Sequence, residues 1–182
     1  MISDKDIVEG CIAGNPKYQK ILYQRFASQL FGVCKRFTGS TAEAEDLLQD
    51  SFVKIFLNIK NFRNECSLGF WVKRLTINTL VSHFRKKNSL KRAFEVDDLS
   101  DDIPDTSLPA DVTIPMEVIV KMVNELPEGY RTVFNLKEID GYDYGEIAEM
   151  LNCSNSTVRS QLYKAKQSLK SKIEVWKKNE LF

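Results

Sequence analysis

The chain has 182 residues, of which 43% are hydrophobic and 28% are charged, and its formal net charge is +1 at pH 7. That composition is enough for packed cores in one large or two small domains. No apolar run is long enough to span a bilayer, and the polar, acidic N-terminus lacks the pattern of a signal peptide, so we expect no membrane insertion and a cytoplasmic protein.

The cysteines and histidines argue against a metal site. Cys11, Cys34, Cys66 and Cys153 are widely scattered, no Cys-x-x-Cys pair occurs, and His83 is the only histidine. We therefore expect no metal and no cofactor, and we expect the cysteines to behave as small hydrophobic side chains in a reducing compartment.

Charge divides the chain into three segments. Residues 1–92 hold 16 Lys or Arg against 8 Asp or Glu, residues 93–115 hold 7 acids and no base, and residues 116–182 hold 10 of each sign. The middle segment also contains three of the five prolines and lacks an apolar period. This pattern predicts a basic module, a flexible acidic linker over 93–115 and a mixed module.

Four helices are predicted in the first module. Their starts are marked by capping or first-turn residues, which are Ser3, Pro16, Thr41 and Ser67. The first three are predicted to end near Gly14, at Gly39 and at about residue 59, and the fourth to reach Lys87.

The third of these helices has a concentrated acidic side made of Glu45, Asp46, Gln49 and Asp50. In a basic module such a patch can dock on a positively charged protein surface. It is equally compatible with an ordinary solvated helix face, and the residues alone leave the two alternatives open.

The fourth helix carries a polar and basic stripe. Its members recur at helical steps, and they are Trp71, Arg74, Asn78, Ser82 and Arg85, with Lys86 continuing the charge. Just upstream, Phe62 and Arg63 lie in a polar loop. An aromatic loop beside such a stripe can stack an unpaired base while cations hold the phosphates. Burial in the core is the favoured alternative for Trp71, whereas for Phe62 both interpretations stay open.

The second module is predicted to hold helices over about 116–126 and 127–138, followed by a short helix, a tight turn and a longer helix. Asp143 and Glu146 form a capping-box pattern, and Ser154 is a candidate N-cap for the last helix. One stripe of that helix is apolar, and the opposite side shows Ser156, Arg159, Ser160, Tyr163 and Lys164. This arrangement favours a DNA-binding helix-turn-helix over a simple surface helix.

Several segments together resemble the sigma factors of bacterial RNA polymerase. Residues 44–56 resemble region 2.2, residues 61–80 resemble regions 2.3 and 2.4, and residues 126–134, 144–148 and 156–162 resemble region 4. Two modules without further domains are similar to the extracytoplasmic-function (ECF) subgroup of the sigma-70 family.

The resemblance implies an all-α fold of two small helical domains, with region 2 over 1–92 and region 4 over 116–182, joined by the acidic linker. It also implies a protein that is not itself an enzyme. The partners that it implies are core RNA polymerase through its β′ clamp helices and β flap, promoter DNA in duplex and single-stranded form, and an anti-sigma factor.

The resemblance assigns three sets of site residues. The polymerase interface would comprise Asp46, Gln49 and Asp50, with Phe52 nearby. The minus-ten element would be held by Phe62 and Arg63 in a base-capture loop, by Asn78 at a base and by Arg74, Arg85 and Lys86 at phosphates. The minus-thirty-five element would be contacted by Ser156, Arg159, Ser160, Tyr163 and Lys164.

A few positions depart from the family's common pattern. Gln161, Lys164 and Lys166 stand where arginine is frequent, so bidentate reading of guanine would depend mainly on Arg159. Asn64 stands where glycine is frequent in the capture loop. The alternatives are a polymerase-independent regulator that binds duplex DNA as a dimer, a helical adaptor, and an enzyme, for which no phosphate, metal or nucleophile motif is present.

Overall fold

The described part of the chain is helical throughout. The computed structural model describes residues 2–86 and 114–180 and divides the chain into two compact units, Met1–Ser82 and His83–Phe182. No strand occurs within the two described ranges. The all-α prediction is therefore confirmed, whereas the predicted linker lies, apart from residues 114 and 115, outside the described residues.

The first unit is built from four helices and one 3₁₀ turn. They are α1 (Asp4–Ile12), α2 (Pro16–Thr38), α3 (Thr41–Asn58), the 3₁₀ turn Ile59–Asn61 and α4 (Leu68–Lys86), whose last turn extends past the boundary between the units. Apolar side chains at helical spacing form the core, in which Leu22, Leu30, Leu47 and Ile55 have at most 2% of their surface exposed. Helix α2 packs against both α1 and α3.

Local capping explains where these helices begin. The Ser3 hydroxyl accepts from Asp6 N at 3.1 Å while the Asp6 carboxylate accepts from Ser3 N at 3.0 Å, which forms a capping box. The Ser3 hydroxyl also donates to the Asp6 carboxylate at 2.7 Å, and this bond, followed by the bond from Ser3 N, lowers the pKa of Asp6. Asn15 caps α2 ahead of Pro16, as the proline predicted. The prediction of Thr41 as the cap of α3 was wrong by one residue, because Ser40 is the extended residue whose hydroxyl accepts from Glu43 N.

One glycine sets the distance between α1 and α2. A Cβ placed on Gly10 would lie 2.2 Å from Cγ of Tyr18, which is far inside van der Waals contact. The absent side chain therefore lets the two helices approach closely. By contrast, a Cβ on Gly32 of α2 would meet nothing within 4 Å.

The second unit contains α5 (Met116–Asn124), α6 (Glu128–Phe134), α7 (Tyr144–Leu151) and α8 (Asn155–Glu180). The single helix predicted over 127–138 is interrupted, since Asn135–Ile139 is a π-helical segment in which Asp140 N donates to Asn135 O at 2.9 Å. A π-helical hydrogen bond spans one residue more than an α-helical one, and over one turn this leaves the apolar pattern almost unchanged. The sequence pattern therefore did not reveal the π-helical segment.

Polar contacts connect these helices around α8. The buried Arg131 donates through Nη1 to the carbonyls of Asn124 at 2.7 Å and Leu126 at 3.3 Å, which fixes the α5–α6 turn. Lys172 of α8 contacts Glu125 at 2.6 Å, and this hydrogen bond lowers the pKa of the Glu125 carboxyl.

Candidate nucleic-acid interface

Helices α7 and α8 are joined by a turn that is fixed at both ends. At the start of α7, Asp143 Oδ1 accepts from Glu146 N at 2.8 Å and Glu146 Oε2 accepts from Asp143 N at 2.9 Å, so the predicted capping box is confirmed. At its end Asn152 is left-handed, with φ at 54°, and Cys153 N donates to Ala148 O at 3.0 Å. This is a Schellman-type stop, and it directs the chain straight into α8.

Helix α8 begins with the predicted Ser154 cap. The Ser154 hydroxyl accepts from Thr157 N at 3.0 Å and lies 2.7 Å from the hydroxyl of Ser156. Val158, Leu162 and further apolar residues of the predicted stripe are buried. The helix-turn-helix geometry that the spacing predicted is therefore present.

The outward face of α8 is smaller than predicted. Arg159 is exposed, Ser156, Tyr163 and Lys164 are partly exposed, and Ser160 has no exposed surface. The prediction that Ser160 faces solvent was wrong. Helix α8 packs against α5, α6 and α7, so the covered part of its surface is wider than a single stripe.

Two residues beside this face were not predicted from the sequence. The guanidinium carbon of Arg159 lies 5.3 Å from the centre of the Tyr144 ring, and Lys137 Nζ lies 4.6 Å from the same centre. Tyr144 is the first residue of α7, and Lys137 belongs to the π-helical segment. No sequence spacing links the three, because they belong to three separate elements.

The stripe predicted on α4 lies on the accessible side of that helix. Arg74, Asn78, Ser82, Arg85 and Lys86 are exposed, and Trp71 is half-buried. Buried residues of the same helix, among them Leu68, Val72 and Leu80, form the opposite side. The helix therefore presents guanidinium, ammonium and amide groups together, which is the chemistry that binds phosphates and base edges.

An aromatic ring of the loop before α4 packs against a ring of α4 itself. The rings of Phe62 and Trp71 meet edge to face with centres 5.5 Å apart, and both are partly exposed, while Arg63 is exposed. Asn64 adopts φ of 59°, in the left-handed region that favours glycine and that asparagine tolerates better than most residues. Asn64 therefore adopts the left-handed backbone conformation for which glycine is the usual residue.

The acidic stripe of α3 continues into apolar residues. Asp46, Gln49 and Asp50 are exposed, and at the following helical steps Val53 and Leu57 are 57% and 67% exposed. These two residues were not predicted as part of the surface, although steps of four, three and four residues connect 46, 50, 53 and 57.

Phe52 was wrongly placed at this surface. It is only 4% exposed, and its ring packs against Tyr23 with centres 4.6 Å apart and against Phe56 at 6.1 Å. Residue 52 is turned about 100° from residue 53 on the helix, which directs its side chain toward the core instead of the acidic stripe.

The thiols differ in accessibility. Burial raises the pKa of Cys34 to about 12 and that of Cys153 to about 11, and it also raises the pKa of Cys11, so these thiols stay protonated at neutral pH. Cys66 in the loop is exposed. Over the described ranges, no three His, Cys, Asp or Glu side chains come together as metal ligands, and none of the helices is long and apolar enough to cross a membrane.

Comparison with known protein families matches both units. The model of Sigma-70 region 2 matches residues 22–90, and that of Sigma-70, region 4 matches residues 116–169. The chain is also similar along its length to curated relatives. It is 26% identical to the ECF RNA polymerase sigma-E factor of Haemophilus influenzae, covering 95% of this chain and 96% of the relative. It is likewise 26% identical to the RNA polymerase sigma-H factor of Pseudomonas aeruginosa, covering 94% of each.

Two solved structures share the fold. One is the sigma factor RpoE in complex with the anti-sigma factor NepR from Bartonella quintana, with a TM-score of 0.54 and 20% identity over 86% of this chain and 96% of that one. The other is CnrH in complex with the cytosolic domain of CnrY, with a TM-score of 0.50 and 20% identity over 94% of this chain and 97% of that one.

Proposed function

The chain belongs to the ECF subgroup of the sigma-70 family, and from this premise we propose how its surfaces divide the work of a sigma factor. A sigma factor binds core RNA polymerase and directs transcription to start at its promoters. The observation that carries the division is the presence of two exposed polar and basic helix faces, one on α4 with Arg74 and Asn78 in the first unit and one on α8 with Arg159 in the second. Two such surfaces suit two separate stretches of one DNA.

Docking on polymerase is the task of the α3 stripe. Asp46, Gln49 and Asp50 supply charge that attracts a basic partner, and Val53 and Leu57 supply apolar area that becomes buried in the complex. By resemblance the partner is the β′ clamp helices, and the second unit contacts the β flap. We take charge to set the approach of the two surfaces, and the apolar pair to slow their separation.

Minus-ten recognition is the task of the loop before α4 and of the stripe on that helix. Asn78 contacts a base that has left the stack, and the Phe62 and Arg63 loop holds it, since base stacking on an aromatic ring is worth about 1–3 kcal/mol. Arg74, and beyond it Arg85 and Lys86, hold phosphates of the displaced strand. The partly exposed Phe62–Trp71 pair supports this role.

Minus-thirty-five recognition is the task of the N-terminal end of α8. Arg159 reads a base edge, and Ser156, Tyr163 and Lys164 contact the backbone beside it. A lysine is a point charge without the planar fork of arginine, so base discrimination depends mainly on Arg159.

RNA polymerase supplies the catalysis of RNA synthesis, and an anti-sigma partner controls the activity of this chain. The chain acts in this proposal as an initiation factor and not as an enzyme, and polymerase performs the chemistry. We place the protein in the cytoplasm, where polymerase acts. The two solved relatives above are each bound to a partner, one of them named an anti-sigma factor, which supports an anti-sigma partner for this chain as well.

Reconstitution tests the proposal. The purified chain is mixed with bacterial core polymerase, and the complex is used to select promoters from a library with randomised upstream and downstream elements, followed by run-off transcription. We expect a stable complex, an enriched promoter, and initiation that requires the chain. No binding to core polymerase, where another sigma factor binds under the same conditions, would overturn the proposal. Tight, selective duplex binding by the free chain would instead favour the polymerase-independent regulator.

Two variants separate the roles. Arg159→Ala should lower recognition of the selected upstream element and leave polymerase affinity unchanged, because the residue is exposed on the second unit. Asp50→Lys should do the reverse, since it places a repelling charge on the α3 stripe. Equal loss of both properties in either variant would contradict the division.

A further inference from the structure

The ring of Tyr144 gathers two cations from different elements. Lys137 comes from the π-helical segment and Arg159 from the second turn of α8, and their charged groups lie over the ring at 4.6 and 5.3 Å from its centre, respectively. Tyr144 itself directly follows the cap residue of α7, so its backbone is fixed by the capping box. The start of the Tyr144 side chain is therefore held in place, whereas lysine and arginine side chains have many rotamers to restrain.

The arrangement brings two like charges to one aromatic ring. Like charges gathered at one place repel each other, and in the two described ranges neither Lys137 nor Arg159 makes an ion pair with a carboxylate within 4 Å. The neighbouring Lys166 differs, because it is paired with Glu138 at 3.2 Å. Attraction to the ring offsets part of the repulsion, and a polyanion would remove the rest.

We propose that Tyr144 is a positioning residue, whose ring holds the Arg159 guanidinium ready to read a base in the upstream promoter element and holds Lys137 at an adjacent phosphate. The proposal rests on the function proposed above and adds two residues to it. A guanidinium restrained before binding loses less rotamer freedom when it meets the guanine edge than a free one does. Base discrimination should therefore depend on the aromatic character of residue 144 and not on its hydroxyl.

The experiment measures how tightly the complex of this chain with core polymerase (the holoenzyme) binds two promoter DNAs. R is the Kd for DNA with a scrambled upstream element divided by the Kd for the selected promoter, so a larger R means stronger recognition of that element. Loss of the ring in Tyr144→Leu should lower R about two- to fivefold, the size of an exposed cation–π contact of about 0.5–1 kcal/mol. Tyr144→Phe keeps the ring and should rescue R to within about 1.5-fold of wild type, a change below that size. In an Arg159→Ala background, Tyr144→Leu should cause no further fall in R.

A second series of variants tests the same proposal even if Tyr144→Leu is poorly folded. Phenylalanine and its mono- and trifluorinated forms are incorporated at position 144, which weakens the π face stepwise at nearly constant size. R should fall in the order of fluorination. Lys137→Ala should weaken binding to both DNAs by the same factor and lower the salt-dependence slope by about 0.9, as expected for one lost phosphate contact.

The outcomes separate the two proposals. An R of one for the wild-type holoenzyme would overturn the proposed upstream recognition itself. A large wild-type R with equal losses in Tyr144→Phe and Tyr144→Leu would overturn only the positioning role, because the hydroxyl would then be the active group. An R that is constant across the fluorinated series, or losses that add in the double variant, would overturn it as well.

Discussion

The apolar end of the α3 stripe yields a quantitative prediction for polymerase binding. Leu57 is 67% exposed in the free chain, so most of its surface remains to be buried on docking. Complete transfer of a leucine side chain from water is worth about 1.5–3 kcal/mol, and two thirds of that is about 1–2 kcal/mol. We therefore expect Leu57→Ala to raise the Kd for core polymerase about five- to thirtyfold.

Because Leu57 is exposed in the free chain, Leu57→Ala should change polymerase binding without changing folding stability. An exposed helix residue contributes little to folding, so the free energy of unfolding should change by no more than about 0.5 kcal/mol. The assay titrates core polymerase into a fluorescently labelled chain, with urea unfolding measured in parallel. The matched control is Ile12→Ala on α1, because Ile12 is 53% exposed and belongs to a different helix.

Two results would refute the reasoning. A Kd for Leu57→Ala within about twofold of wild type would mean that the apolar end of the stripe stays in water in the complex. An equal loss in Ile12→Ala would mean that the effect is not specific to α3. Asp50→Asn provides a further contrast, since loss of an exposed charge should change the association rate and its salt dependence more than the dissociation rate.

Three further predictions concern stability and reactivity. Gly10→Ala should destabilise the fold by about 1–3 kcal/mol, because its methyl group would overlap the facing ring of Tyr18. Gly32→Ala should stabilise the fold by about 0.5–1 kcal/mol, because alanine favours the helix and its methyl group would meet nothing within 4 Å. The urea midpoints of the two variants should therefore shift in opposite directions. Thr132→Val should leave stability unchanged or raise it, because the fully buried hydroxyl has no hydrogen-bond partner among the described residues; calorimetric loss of more than about 1 kcal/mol would contradict this. At pH 7 a thiol reagent should modify Cys66 well before Cys34, whose pKa is raised to about 12 by burial, and peptide mass spectrometry would reveal the reverse order.

Local features of the chain were readable from the sequence because their causes are local. The caps at Ser3 and Ser154 and the capping box at Asp143 each depend on residues three apart, and all three are formed as predicted, with Asp6 completing an additional capping box at Ser3. The single error among these starts, Thr41 in place of Ser40, exchanged two adjacent hydroxyl residues that can both cap a helix.

The prediction that Ser160 is exposed failed because the buried part of a helix surface depends on how many helices pack against it. A helical wheel assigns one covered stripe, but α8 packs against three helices, and Ser160 is buried outside the predicted stripe. Phe52 is a different case: the resemblance assigned it to the docking surface, although its spacing on α3 already turns it toward the core, where it packs against the Tyr23 ring. Period alone cannot give the width of a buried face.

The sequence by itself determined the two helical modules, the caps that start their helices and the family to which the chain belongs, because each of these depends on residues close together in the chain. The tertiary structure alone decided that Lys137, Tyr144 and Arg159 meet, and that Ser160 is covered on α8. The reason is physical: a contact between distant residues depends on how helices pack, and packing is set by the shape of the whole core.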